Sequence, residues 1–218
     1  MEATATTAHR LRPGTSAAPG LRTRRLLFAS CLLLFAGCLL PGCGRFKLSR
    51  AGGKLNVQSP QQPKTTLGGG FGRGLYRLEG RSNLTVLLID GTIDEPRQAV
   101  VIRMLWMPRA GRTPIDANAT NATVHYLIFD GDDVGVYGGA GYLYPGRKPG
   151  RAKLKAGLWQ ANVSISDASE GFEDKLGTAM IEGRFTAERD DVQTRTAVQK
   201  LHKLIHERLG YGRMVLVD

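Results

Sequence analysis

No cysteine lies beyond Cys43 in this chain of 218 residues, so nothing downstream can be stapled by a disulfide or held through a thiolate-bound metal. A domain spanning the remaining length must be stable through its core alone, which is feasible because a chain of about 150 residues buries roughly two-thirds of its unfolded surface. Aromatic residues are only 7% of the chain, with two tryptophans among them. Trp106 and Trp159 are expected to anchor the core, since an indole buries a large area and needs one hydrogen-bond partner. Catalytic signatures are also missing: there is no G-x-S-x-G elbow, no P-loop and no cysteine nucleophile in the domain. Glu173 and Asp174 are neighbours in sequence, which does not set two carboxylates across a substrate. The glycines from Gly68 to Gly74 lack the G-x-G-x-x-G spacing of a nucleotide loop, so no cofactor is expected.

Acidic residues are scarce where basic ones are dense. The net charge is +11, of which residues 1 to 43 carry +4, residues 44 to 74 carry +6 and residues 75 to 218 only +1. A nearly neutral globular part does not generate the field that non-specific phosphate binding needs, and a nucleic-acid partner is therefore not expected.

What the N-terminal region does contain is a basic stub followed by an apolar run. Arg10, Arg12, Arg22, Arg24 and Arg25 precede LLFASCLLLFAGCLL, residues 26 to 40, the order of an export signal. At about 1.5 Å per residue this run spans roughly 22 Å, short of the roughly 30 Å hydrocarbon core, so export fits better than a permanent span. Pro41-Gly42 then ends any helix. Two small-residue–cysteine endings stand well clear of the basic stub, Phe35-Ala36-Gly37-Cys38 and Leu40-Pro41-Gly42-Cys43, while Phe28-Ala29-Ser30-Cys31 matches the pattern loosely but lies too close to Arg25. They resemble the lipobox of bacterial lipoproteins, a likeness that covers residues 22 to 44. The resemblance implies that one cysteine is linked to diacylglycerol and becomes the mature N-terminus. Cys43 is preferred, with Cys38 the alternative: cleavage at Cys43 leaves no odd thiol, whereas cleavage at Cys38 leaves Cys43 unpaired. Thr23-Arg24-Arg25-Leu26-Leu27-Phe28 also looks like a twin-arginine signal, although the general export route is preferred. Neither Leu39 nor Gly44 is the aspartate that signals inner-membrane retention in many such lipoproteins, so the resemblance favours the outer membrane.

The expected organisation is a signal peptide over 1–42, a flexible basic tether over 43–74 and a β-rich globular domain over 75–218. The tether sequence shows no helical or strand period and is rich in Gly, Pro, Gln and cations, which can reinforce a lipid anchor at an anionic surface. From Leu75 onward, short apolar runs alternate with Gly, Pro, Asn and Asp. Strands are expected over 75–79, 84–89, 99–107, 123–129, 134–137, 158–166, 178–186 and 214–217. One helix is expected, capped by Asp190 or Asp191, striped by Val198, Leu201, Ile205 and Leu209, and closed by Gly210. The fold class is mainly β: an antiparallel sandwich or partly closed barrel with one C-terminal helix.

Four features invite a functional reading. Asp130, Asp132 and Asp133 cluster three carboxylates that calcium would favour, but Asp-Gly between apolar runs is hairpin composition, and a turn is preferred to a metal site. His202 and His206 lie one helical turn apart with His125 elsewhere, yet Lys203 stands where a zincin places glutamate. Asn118-Ala119-Thr120 and Asn121-Ala122-Thr123 match the glycosylation sequon and read as a polar loop. Arg147, Lys148, Arg151, Lys153 and Lys155 form the one dense basic run of the domain, with Tyr137, Tyr142 and Tyr144 just upstream among glycines that alternatively make a wide turn. Cations with aromatics suit an anionic glycan, a lipid headgroup or a phosphate group, whereas a solvated loop is the plainer alternative.

The chain therefore reads as a lipid-anchored envelope lipoprotein whose β domain binds or scaffolds an anionic glycan, lipid or protein. A metal-dependent envelope hydrolase and a structural subunit of an envelope complex are the alternatives.

Overall fold

The computed structural model describes residues 51–60, 66–80, 83–107 and 120–211. They form nine strands and one helix: β1 (Gly52–Gln58), β2 (Thr66–Phe71), β3 (Arg73–Glu79), β4 (Asn83–Gly91), β5 (Pro96–Met104), β6 (Ala122–Asp130), β7 (Asp133–Pro145), β8 (Lys153–Ala168), β9 (Thr178–Arg189) and α1 (Asp191–Leu209). The fold is mainly β with one C-terminal helix. Strands run in the order β2-β1-β9-β3-β4-β5-β6-β7-β8, and β8 also pairs with β9, so β3 to β9 make a ring. The ring is only partly closed. β8 and β9 pair antiparallel from Lys153 opposite Glu188 to Ser164 opposite Thr178, whereas β3 and β9 meet in parallel only at Leu75–Glu188 and Tyr76–Arg189. Over the rest of its length β9 pairs instead with β1, from Gly52–Thr186 to Gln58–Met180.

Burial on two faces explains the near-continuous apolar reading of β4 and β5. Leu84, Val86, Leu88, Val100 and Ile102 point into the ring, where they meet Tyr76, Tyr126 and Tyr137. The residues between them, Leu87, Ile89, Ala99 and Val101, point outward and lie under Ala197, Val198, Leu201, Ile205 and Leu209 of α1. A strand with both faces covered loses its two-residue period. Leu201 and Ile205 are fully buried, each worth about 2 kcal/mol by the area it removes from water.

Capping fixes the ends of α1. The Asp190 carboxylate, on an extended residue, accepts from the Gln193 N–H at 2.8 Å, and Gly210 adopts φ 73° as its N–H reaches the His206 carbonyl. Asp191 Oδ1 accepts from the Leu78 N–H at 3.0 Å, tying the first turn to β3. Replacing Asp190 with alanine removes the cap and is expected to cost about 1 kcal/mol, read as a lower thermal midpoint of the full chain. An unchanged midpoint would show that the cap carries no stability.

The strands expected at 75–79, 84–89, 123–129 and 178–186 fall inside β3, β4, β6 and β9, while 214–217 lies outside the described residues. Four expectations are corrected. First, the flexible tether cannot extend to residue 74, because β1 and β2 lie within 43–74. β1 escaped notice because only Leu55 and Val57 face the core and its glycines are dictated by close packing: a Cβ on Gly53 would stand 2.5 Å from that of Phe185. Residues 43–50 lie outside the described residues. Second, Trp106 and Trp159 are 40% and 44% exposed. Tyrosines fill the core instead, because a ring buried in the interior can send its hydroxyl to a rim: Tyr126 donates to Gln98 Oε1 at 2.7 Å and Tyr137 to Asp174 Oδ1 at 2.5 Å. Third, the glycines at 138–141 are not a turn but the middle of β7, which runs unbroken to Pro145. Fourth, Asn121 is fully buried rather than part of a polar loop, and its amide bonds both backbone groups of Leu143. Of the other sequon, Asn118 lies outside the described residues.

Candidate functional site

The basic run occupies the turn between β7 and β8, and the turn is braced. Gly146 N–H donates to the Lys155 carbonyl at 2.8 Å, closing the hairpin. The Tyr76 hydroxyl donates to the Arg151 carbonyl and accepts from the Gly150 N–H at 3.3 Å. Arg189 Nη1 donates to the Gly150 carbonyl at 2.9 Å, and the Arg189 N–H to the Ala152 carbonyl at 2.8 Å. Gly150 takes φ 111°, a conformation that an L side chain rarely adopts. Burial pushes the Tyr76 phenol above its ordinary value, a rise that the Gly150 hydrogen bond and the Arg189 charge reduce. The backbone is thus held by core and strand residues while Arg147, Lys148 and Arg151 stay exposed.

Lys153 and Lys155 continue the pattern at alternate positions of β8, on its exposed face. All five cations line one groove of about 540 Å³. Lys153 sits 3.6 Å from Glu188. Among the described residues, Arg147, Lys148, Arg151 and Lys155 have no carboxylate at ion-pair distance.

A second groove of about 610 Å³ joins the first at Gly146 and Lys155, and it is aromatic. Its walls come from β7, β8 and β9, with Gly52 of β1 beside them. Tyr144 lies opposite Gly157 and Gly157 opposite Arg184, while Lys155 lies opposite Thr186. Trp159 is two residues beyond Gly157, and its ring folds back so closely that a Cβ on Gly157 would stand 3.0 Å from the indole nitrogen. The tryptophan is displayed by a β-bulge. Leu158 pairs with Gly183 and Ala161 with Ile181, so Trp159 and Gln160 together face the single residue Glu182. Gln160 takes φ 47°, the one positive φ outside glycine among the described residues, and such backbone costs on the order of 1 kcal/mol or more. The bulge also switches parity: Leu154, Ala156 and Leu158 point inward before it, Ala161 and Val163 after it.

Of the residues expected to form this surface, the five cations and Tyr144 converge on it. Tyr142 does not. It is 2% exposed and stands edge-on to Trp106 at 6.3 Å, and its hydroxyl has no hydrogen-bond partner among the described residues. Burial raises its phenol pKa, with a further rise from Tyr144. Tyr137 lies in the core. Sequence reasoning missed Trp159, which it assigned to the interior, and Arg184. The bulge that exposes Trp159 leaves no composition signal, and Arg184 joins the site only through the pairing of β8 with β9.

The carboxylate cluster is a hairpin turn. Asp130 pairs with Asp133 across Gly131-Asp132, and Gly131 takes φ 58°. Asp133 Oδ1 accepts from Ser169 Oγ at 2.7 Å, which braces the neighbouring loop. On α1, His202 and His206 bring their Nε2 atoms within 3.0 Å. His125, on β6, has a buried Nδ1 with no hydrogen-bond partner among the described residues, and burial followed by the Arg103 charge lowers its pKa. Among the described residues, no three side chains of the His, Cys, Asp or Glu type converge as a metal would require. No protein-family model, curated protein or solved structure matches this chain.

Proposed function

We propose that this chain is a lipid-anchored protein of the bacterial envelope whose β domain binds an anionic ligand on the β7–β8 face without catalysing a reaction. The observation that carries the binding reading is the convergence of five cations on one groove, with a backbone braced by Tyr76 and Arg189. A loop kept solvated only for solubility needs no such bracing. Anchoring rests on the leader and the acylation of Cys43, or of Cys38, with the outer membrane the favoured site. Arg45, Lys47 and Arg50 follow the anchor closely, and each cation near an anionic surface adds about 1 kcal/mol to membrane attachment. Among the described residues no helix is long and apolar enough to cross a membrane.

Two measurements test this reading on the full-length chain. Replacing both Cys38 and Cys43 with serine should release the protein from sedimented envelopes and remove the acyl mass; firm sedimentation at unchanged mass would overturn the anchor. Replacing Arg147, Lys148 and Arg151 with glutamine should weaken binding of an anionic polymer, either oligogalacturonate or a glycerol-phosphate oligomer, by roughly tenfold or more in about 0.1 M salt, because charge-assisted hydrogen bonds are lost. Equal affinity in the variant would place the ligand elsewhere.

A further inference from the structure

Resting on that anionic-ligand reading, we infer that the site takes an acidic saccharide, with a sugar ring stacked on Trp159 and Tyr144 and its carboxylate or phosphate held by Lys155, Arg184 and the hairpin cations. The two grooves meet at Gly146 and Lys155, so one ligand meets an apolar wall and a charged wall at once. A pyranose has that double character: its axial C–H bonds form an apolar face, and an acidic substituent projects from the ring edge. An aromatic plate accepts the first. Arginine and lysine accept the second.

The aromatic plate is built rather than incidental. Trp159 reaches the surface on a bulge that holds Gln160 at positive φ, and Gly157 leaves the space over which its ring lies. Backbone strain of this kind persists where the surrounding structure enforces it, commonly at binding sites. Each groove is within the volume range of small-ligand sites.

Other anionic ligands use only part of this surface. A phospholipid headgroup would satisfy the cations and leave the indole unused. An extended peptide that docks by adding a strand needs an open sheet edge, and β8 and β9 are each paired on both sides here. The acids of the face are Glu182, opposite the bulge, and Glu188, beside Lys153. Both share the outward face with Arg184 and Lys155, yet among the described residues neither cation has a carboxylate at ion-pair distance.

The test titrates the full chain in detergent micelles with three probes: oligogalacturonate, a neutral galacto-oligosaccharide of equal length and a glycerol-phosphate oligomer of equal charge. Trp159 is one of only two tryptophans, so emission reports stacking directly. Oligogalacturonate should bind with a change in emission. Trp159→Ala should weaken it by about tenfold, as loss of an aromatic stacking platform does elsewhere, and Trp159→Phe should restore most of the affinity. The neutral sugar should bind far more weakly, and glycerol phosphate should bind with no dependence on Trp159. Undiminished oligogalacturonate affinity in Trp159→Ala would overturn the saccharide assignment. So would binding of glycerol phosphate alone, which would nevertheless uphold an anionic site. Binding of no probe would overturn both readings.

Discussion

Replacing Gly139 with alanine is expected to remove about 3 kcal/mol of stability and lower the thermal midpoint of the full chain by roughly 10 °C. A Cβ at this position would stand 1.9 Å from the Asn162 carbonyl oxygen and 2.8 Å from both the Asn162 carbonyl carbon and the Val163 Cα. These are backbone atoms of β8, so no side chain can rotate away and the strands must part. Glycine within a strand commonly marks such an approach, and Gly141 repeats it, since a Cβ there would meet that of Ala161 at 2.5 Å. Gly70 provides the control. Nothing lies within 4 Å of a Cβ built on it and its φ is not positive, so Gly70→Ala should stay within about 0.5 kcal/mol of wild type. A Gly139→Ala protein that melts with the wild type would show that β7 and β8 can separate without loss.

Asn121→Ala should cost about 3 to 4 kcal/mol for a different reason. The Asn121 amide accepts from the Leu143 N–H at 2.6 Å, and it donates to the Leu143 carbonyl at 2.9 Å and to the Trp106 carbonyl at 3.4 Å. Its own backbone bonds Gly141 and Leu105, so one residue clips the end of β5 and the start of β6 to β7. Alanine would leave both Leu143 groups unpaired in a dry setting, each a desolvation penalty of about 1 to 3 kcal/mol. Asn121→Asp adds a pH signature. Burial disfavours the carboxylate and raises its pKa in the folded state. The protonated acid can donate to Leu143 as the amide did, so the variant's deficit against wild type should be smallest below the unfolded-state value near pH 4 and grow as pH rises through the folded-state value. A deficit independent of pH would show that the donor is not what the site requires.

How far the sequence revealed this molecule depended on which property each segment expressed. The helix was legible almost to the residue, because Asp190, the Val198–Leu209 stripe and Gly210 each act locally. β3, β4, β6 and β9 were legible through runs of apolar residues. β1 and β2 were not, since Gly53 and its neighbours are set by the proximity of Phe185, a contact far away in sequence. The same cause hid the interior of β7. At the site, the five cations were visible as composition and did converge, but their partner Trp159 was misplaced in the core because a bulge inverts which residues of β8 face out. Tyr142 erred in the opposite direction: among glycines it read as exposed, yet Trp106 covers it.

The parallel join between β3 and β9 is only two residue pairs long. Tyr76 and Arg189 make that join, and the same two side chains grip the hairpin that carries Arg147, Lys148 and Arg151. The weakest stitch of the ring and the shape of the cationic loop are therefore one equilibrium. Any molecule that prefers the gripped loop adds RT ln(1 + [L]/Kd) to the closed form. Occupancy on the outside of the wall would tighten the seam, and fraying of the seam would loosen whatever had bound.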